Sequence, residues 1–122
     1  MGTIWKVFTA FALVALVVAA SAFADAGGTS ATTNVAVTAG KPTEFRFTLS
    51  KRTVPKGTAV FKVTNRGSVR HDFKIAGKKT KSLARNQAAT LRVALPKAGK
   101  FAFLCTVPGH AAAGMKGTLT VK

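Results

Sequence analysis

The sequence has one cysteine, no tyrosine and three acidic residues among 122. A lone cysteine, Cys105, cannot form an internal disulfide, so no covalent staple holds the chain together. The acids are Asp25, Glu44 and Asp72. They face 19 lysines and arginines, for a formal charge of +16. The only tryptophan, Trp5, lies in an N-terminal stretch expected to be removed. With no tyrosine either, no aromatic platform remains for stacking nucleobases. Helical periodicity is missing as well. Past residue 24 no segment sustains a 3.6-residue apolar stripe, and KSLARNQAA, the nearest, has none.

Residues 1–24 carry one charge, Lys6, then an apolar run from Val7 to Ala20 and the small-x-small sequence Ala22-Phe23-Ala24. That is the pattern of a secretory signal cleaved after Ala24. A retained anchor is the alternative, because the uncharged stretch from Val7 to Ala24 approaches the ~20 residues of a spanning helix. The product is thus expected to be exported, to the periplasm or the cell exterior, or membrane-tethered if the segment stays. Loss of Lys6 leaves +15 on Asp25–Lys122. Residues 25–33, DAGGTSATT, have nothing to bury and read as a flexible leader. Residues 34–122 form one domain. Outside the cell a free thiol risks oxidation, so Cys105 is either buried and inert or held by something.

What is present is alternation. EFRFTL puts Phe45, Phe47 and Leu49 on one face and Glu44, Arg46 and Thr48 on the other. VFKVTN, TLRVAL, KFAFLCTV and GTLTVK repeat the period of two, and Pro, Gly and Asn punctuate the runs. About seven short strands with one buried face each predict an all-β, antiparallel sandwich. The six phenylalanines after residue 24 fill much of its core, and the lysines and arginines mark the wet face and guard strand edges.

Alternation also aims the scarce residues. In VRHDFKI, His71 shares a face with Phe73 and Ile75, whereas Asp72 shares the other with Arg70 and Lys74. Cys105 falls on the inward face with Phe101 and Phe103. His110 follows on the turn at Pro108-Gly109, and Met115 precedes the last strand. Singly, each has an ordinary explanation: a satisfied core histidine, a small buried thiol, a loop imidazole, a gap-filling thioether. Together they are the whole soft-donor inventory of the exported chain gathered at one end. A trigonal His₂Cys copper site with a weak axial Met matches that inventory. Zinc would leave Met115 unused. A Cys–His nucleophile would leave Met115 and one histidine unused.

VTNRGSVRHDFKI followed by FLCTVPGHAAAGMKGTLTV resembles the cupredoxins, the plastocyanin/azurin family of small blue copper proteins, over about Val35 to Val121. The resemblance implies a Greek-key sandwich binding one copper ion that alternates between Cu(I) and Cu(II). His71, Cys105, His110 and Met115 would be its ligands. Electrons would pass through an apolar patch around His110, formed by Val107, Pro108 and Ala111 to Ala113. Asp72 falls where plastocyanin and azurin carry an Asn that ties the ligand loops together; a carboxylate accepts the same N–H but donates nothing. The implied role is single-electron transfer without enzymatic turnover. Copper storage or delivery is the alternative. The charge suits an acidic redox protein or a membrane-bound electron-transfer complex, or an anionic membrane or cell-wall surface. Nucleic acid is not expected, because the basic residues are spread over every strand and turn. The protein is expected to act as a monomer.

Overall fold

The structure, a computed structural model, describes Gly2 and residues 32–122. The expected signal segment and most of the expected leader lie outside the described residues. Nine strands follow in order: β1 (Thr32–Ala39), β2 (Phe47–Leu49), β3 (Thr53–Val54), β4 (Gly57–Asn65), β5 (Lys74–Ile75), β6 (Lys78–Lys79), β7 (Ala88–Leu95), β8 (Gly99–Leu104) and β9 (Lys116–Val121). Strand β1 takes in Thr32 and Thr33, the last two residues of the expected leader.

The strands make two sheets, ordered β2-β1-β4-β7 and β3-β9-β8-β5-β6. This is the expected sandwich, but its pairing is mixed. Strand β1 runs parallel to β4, and β3 runs parallel to β9. Alternation reports which face of a strand is buried and says nothing of its neighbour's direction. In the β1–β4 pair, register sets Val35 beside Phe61 and Val37 beside Val63. Antiparallel β7 adds Leu91 beside Phe61. The inward rows of this sheet therefore meet Phe103, Leu119 and Val121 of the other as one apolar layer. The tight β5–β6 hairpin turns on Ala76 and Gly77, both with positive φ (49° and 75°), the type I′ geometry that fits strand twist.

Phe73 is the aromatic hub. Its ring lies 5.3 Å from Phe47, 5.2 Å from Phe61 and 5.5 Å from Phe103, centroid to centroid. Such pairs add about 0.5–1.5 kcal/mol each beyond the area they bury. The hub sits two residues from His71, so the rigid centre of the core sets the height of that histidine. Two sequence expectations change. Phe45 does not join the core: β2 starts only at Phe47, and Phe45 is 37% exposed. Asp72 does not face solvent: it is 4% exposed, because Asp72 and Phe73 lie outside the strands and the carboxylate meets Thr106 in the loop after β8.

Candidate metal centre

Two clamps present the scarce side chains. His71 forms an isolated antiparallel bridge with Leu83, donating its N–H to the Leu83 carbonyl at 3.1 Å and accepting the return bond at 2.8 Å. Cys105 follows directly on β8, and its N–H donates to the Met115 carbonyl at 3.1 Å. The Met115 N–H in turn donates to the His110 carbonyl at 3.0 Å, and the His110 N–H to the Val107 carbonyl at 3.1 Å. The loop from Cys105 to Met115 is therefore closed by its own backbone, which carries His110 back over Cys105.

Three donor atoms converge. His71 Nδ1 lies 3.1 Å from His110 Nδ1, and Cys105 Sγ lies 3.5 Å from His110 Nδ1. The three sit within 4.8 Å of one another, and no other group of His, Cys, Asp or Glu side chains among the described residues could hold a metal ion. His71, Cys105 and Met115 are buried, and His110 is half-buried. Met115 is tied to Cys105 and His110 through its backbone. The donor set fits copper: two imidazole nitrogens and a thiolate face one point, and buried walls exclude competing water.

Asp72 joins the loops. Its carboxylate accepts the Thr106 N–H at 2.6 Å and the Thr106 hydroxyl, and its own N–H points at Cys105 Sγ from 3.5 Å. The missing donor of a carboxylate is thus made good by a partner that donates twice. Burial pushes the Cys105 thiol up, against the pull of the Asp72 and Val107 backbone N–H groups. A metal must therefore displace a proton to gain the thiolate. Burial, then the neighbouring His71, pushes His110 down, which favours the neutral imidazole over the protonated one.

Glu44, read from the sequence as a solvated strand residue, lies against the site. Its Oε1 is 2.8 Å from His71 Nε2. Ser68 donates its N–H to both carboxylate oxygens at 2.9 Å and its hydroxyl to Oε2 at 3.2 Å, and Val69 donates its N–H at 3.1 Å. These backbone bonds, that of Ser68 first, pull the Glu44 carboxyl from 4.5 down to about 2, with burial opposing. Its scarcity in a basic chain was the one available signal. Phe45, beside it, stands edge-on to the His110 ring at 4.9 Å. Of the patch expected around His110, Pro108, Ala112 and Ala113 are exposed, and Val107 and Ala111 are half-buried.

The family model of the Cupredoxin-like domain matches residues 8–121. No curated protein is detectably similar in sequence. Among solved structures, dithionite-reduced auracyanin from Roseiflexus castenholzii is similar at 26% identity and a TM-score of 0.57, over 78% of this chain and 99% of that one. Rusticyanin from Thiobacillus ferrooxidans superimposes at a TM-score of 0.65 with 24% identity, over 77% and 79%. Auracyanin A from Chloroflexus aurantiacus, described as a "blue" copper protein, does so at 0.61 with 19% identity, over 75% and 100%.

Proposed function

The chain belongs to the cupredoxin-like family, and from that membership we propose that it is an exported blue copper protein whose single ion is held by His71, Cys105, His110 and Met115. The observation that carries this reading is the convergence of His71 Nδ1, Cys105 Sγ and His110 Nδ1 within 4.8 Å. Bound there, copper would supply one-electron exchange between Cu(I) and Cu(II). The residues do the rest. His71 is clamped by Leu83, and Cys105 and Met115 are clamped to each other, so the donors keep one arrangement whichever oxidation state they serve. Their burial supports a retained ion rather than one delivered to another protein. Half-buried His110, with Phe45 against its ring, is the ligand nearest solvent and the natural route for the electron. The role is that of a carrier, not an enzyme.

The partner fits an acidic redox protein or membrane complex. Register sets Lys79 opposite Lys74, Lys74 opposite Leu104 and Leu104 opposite Lys116, a row of three lysines across the sheet that ends in the ligand loops. Like charges on adjacent strands repel, and a negative partner would relieve that repulsion. Export follows from residues 1–24 with cleavage after Ala24, and the mature protein acts as a monomer.

Loading the purified protein with Cu(II) tests the assignment. One ion per chain with a strong thiolate-to-copper visible band is expected. A colourless complex, or a band that survives Cys105→Ser, would refute it. Intact mass of the protein recovered from cells checks the cleavage: a chain starting at Met1 or Gly2 in the membrane fraction would replace the free carrier with a tethered one.

A further inference from the structure

Glu44 has chosen an unusual partner. The chain offers it 18 lysines and arginines beyond Lys6, yet among the described residues its only ion-pairing contact is His71. The contact is built rather than casual. Gly40 and Gly67 let two backbone segments touch, since a Cβ on Gly40 would collide with the Gly67 backbone. That approach brings the segment carrying Glu44 beside Ser68 and Val69. Asn65 braces the second segment, donating to the Val69 and Leu83 carbonyls at 2.8 Å and accepting the Gly67 N–H at 2.8 Å. Gly67 also leaves the gap in which carboxylate and imidazole meet: its Cβ would collide with Glu44 Oε1 and come within 2.7 Å of His71 Nε2.

We propose that Glu44 is a positioning residue for the metal centre, holding the His71 ring by Nε2–H so that the Nδ1 lone pair faces Cys105 and His110 and strengthening that nitrogen as a donor to Cu(II). The inference rests on the copper reading above. An ionised carboxylate can only accept, so Nε2 carries a proton, and in the neutral ring the lone pair is then on Nδ1, the nitrogen that faces His110. Its negative charge stabilises the positive charge that a ligated ring takes on, more for Cu(II) than for Cu(I). Supporting groups of this kind are typically worth 10–100-fold in metal affinity.

The test uses the full mature protein. In the metal-free wild type, ¹⁵N NMR should find His71 as the Nε2–H tautomer; an Nδ1–H tautomer would overturn the proposal without any metal present. In the copper-loaded protein, Glu44→Gln should weaken Cu(II) binding about 10–100-fold, with Cu(I) binding less affected. Each tenfold difference between the two states appears as a rise of about 59 mV in the one-electron potential. Ser68→Ala removes a hydrogen bond to the same carboxylate and spares the contact with Nε2, so it should leave the potential where it was. A potential that moves with Ser68→Ala and not with Glu44→Gln would reduce Glu44 to a loop fastener and overturn the proposal. A wild type that takes up no Cu(II) with a thiolate band would defeat the copper reading itself, and the proposal with it. A wild type that does, beside a Glu44→Gln protein with unaltered potential and affinities, would defeat the proposal alone.

Discussion

Replacing Asp72 by alanine should cost the metal-free protein about 3 kcal/mol. Asp72 accepts the Thr106 N–H and the Thr106 hydroxyl while 4% exposed. Hydrogen bonds to a charged group contribute about 1.5–3 kcal/mol each. Two would suggest roughly 3–6 kcal/mol, but Thr106 is only half-buried, so water can reach its orphaned donors and the low end applies. Urea titration followed by far-ultraviolet circular dichroism suits a small two-state domain. With m of about 1–3 kcal/mol per molar for small proteins, the midpoint should drop by roughly 1–3 M with m unchanged. In thermal melts the loss should be roughly 12–24 °C, at about 4–8 °C per kcal/mol for a domain of this size. Asp72→Asn is the sharper variant. Its amide oxygen keeps the Thr106 N–H, and the Thr106 hydroxyl can rotate to accept from the amide nitrogen. It should lose under about 1 kcal/mol, comparable to one net hydrogen bond. If the asparagine variant is as unstable as the alanine variant, the hydroxyl is not the compensating partner. If the alanine variant is as stable as wild type, the link between the ligand loops contributes nothing to the fold.

Met115→Leu should keep copper and raise the potential, because a weak donor to Cu(II) is lost; an unchanged spectrum and potential would make Met115 packing only. Lys116→Glu or Lys74→Glu should slow electron exchange with an acidic partner without altering the copper spectrum. In the wild type, stopped-flow rates should fall steeply with salt, as the Debye length shrinks from about 30 Å at 0.01 M to about 8 Å at 0.15 M and a steering gain of roughly 10–10³ is screened away. A rate indifferent to salt would exclude steering. In the metal-free protein, Glu44 is more acidic folded than its ordinary 4.5. The unfolded chain therefore binds the extra proton in between, so stability is fully present above pH 4.5 and drains away as pH falls toward about 2. Denaturant midpoints across that window should show the slope, and Glu44→Gln should flatten it.

The gathering of His71, Cys105 and His110 was legible in the sequence because these residue types are rare and strand alternation aims them. His71 is inward because Phe73 and Ile75 are, and Cys105 because Phe103 is. The sandwich was legible for the same reason. What alternation does not encode is contact between distant segments. Glu44 and Phe45 lie in a run that alternates well, yet the chain there is not a strand, because Gly40 meets Gly67 and pulls the segment toward the site. Asp72 is buried by a threonine 34 residues away. The parallel pairs arise where the chain switches between sheets after β2 and β3, a matter of topology that no local period records.

The sequence separations across the site also govern when it comes into being. His71 and His110 are 39 residues apart, and Glu44 and His71 are 27 apart. Contacts of that range form late, after the slow closure of long loops. Cys105 and His110 are only five residues apart, with Met115 the same distance on, so an unfolded chain already carries three of the four proposed ligands on one short segment. Soft Cu(I) is the ion best served by thiolate and thioether, and whatever grips the unfolded chain subtracts from the stabilisation of the folded one. Cu(II), which needs both imidazoles, has far less to hold until the sheets have docked. Refolding in the presence of Cu(II) should therefore report on assembly of the whole sandwich rather than of one loop.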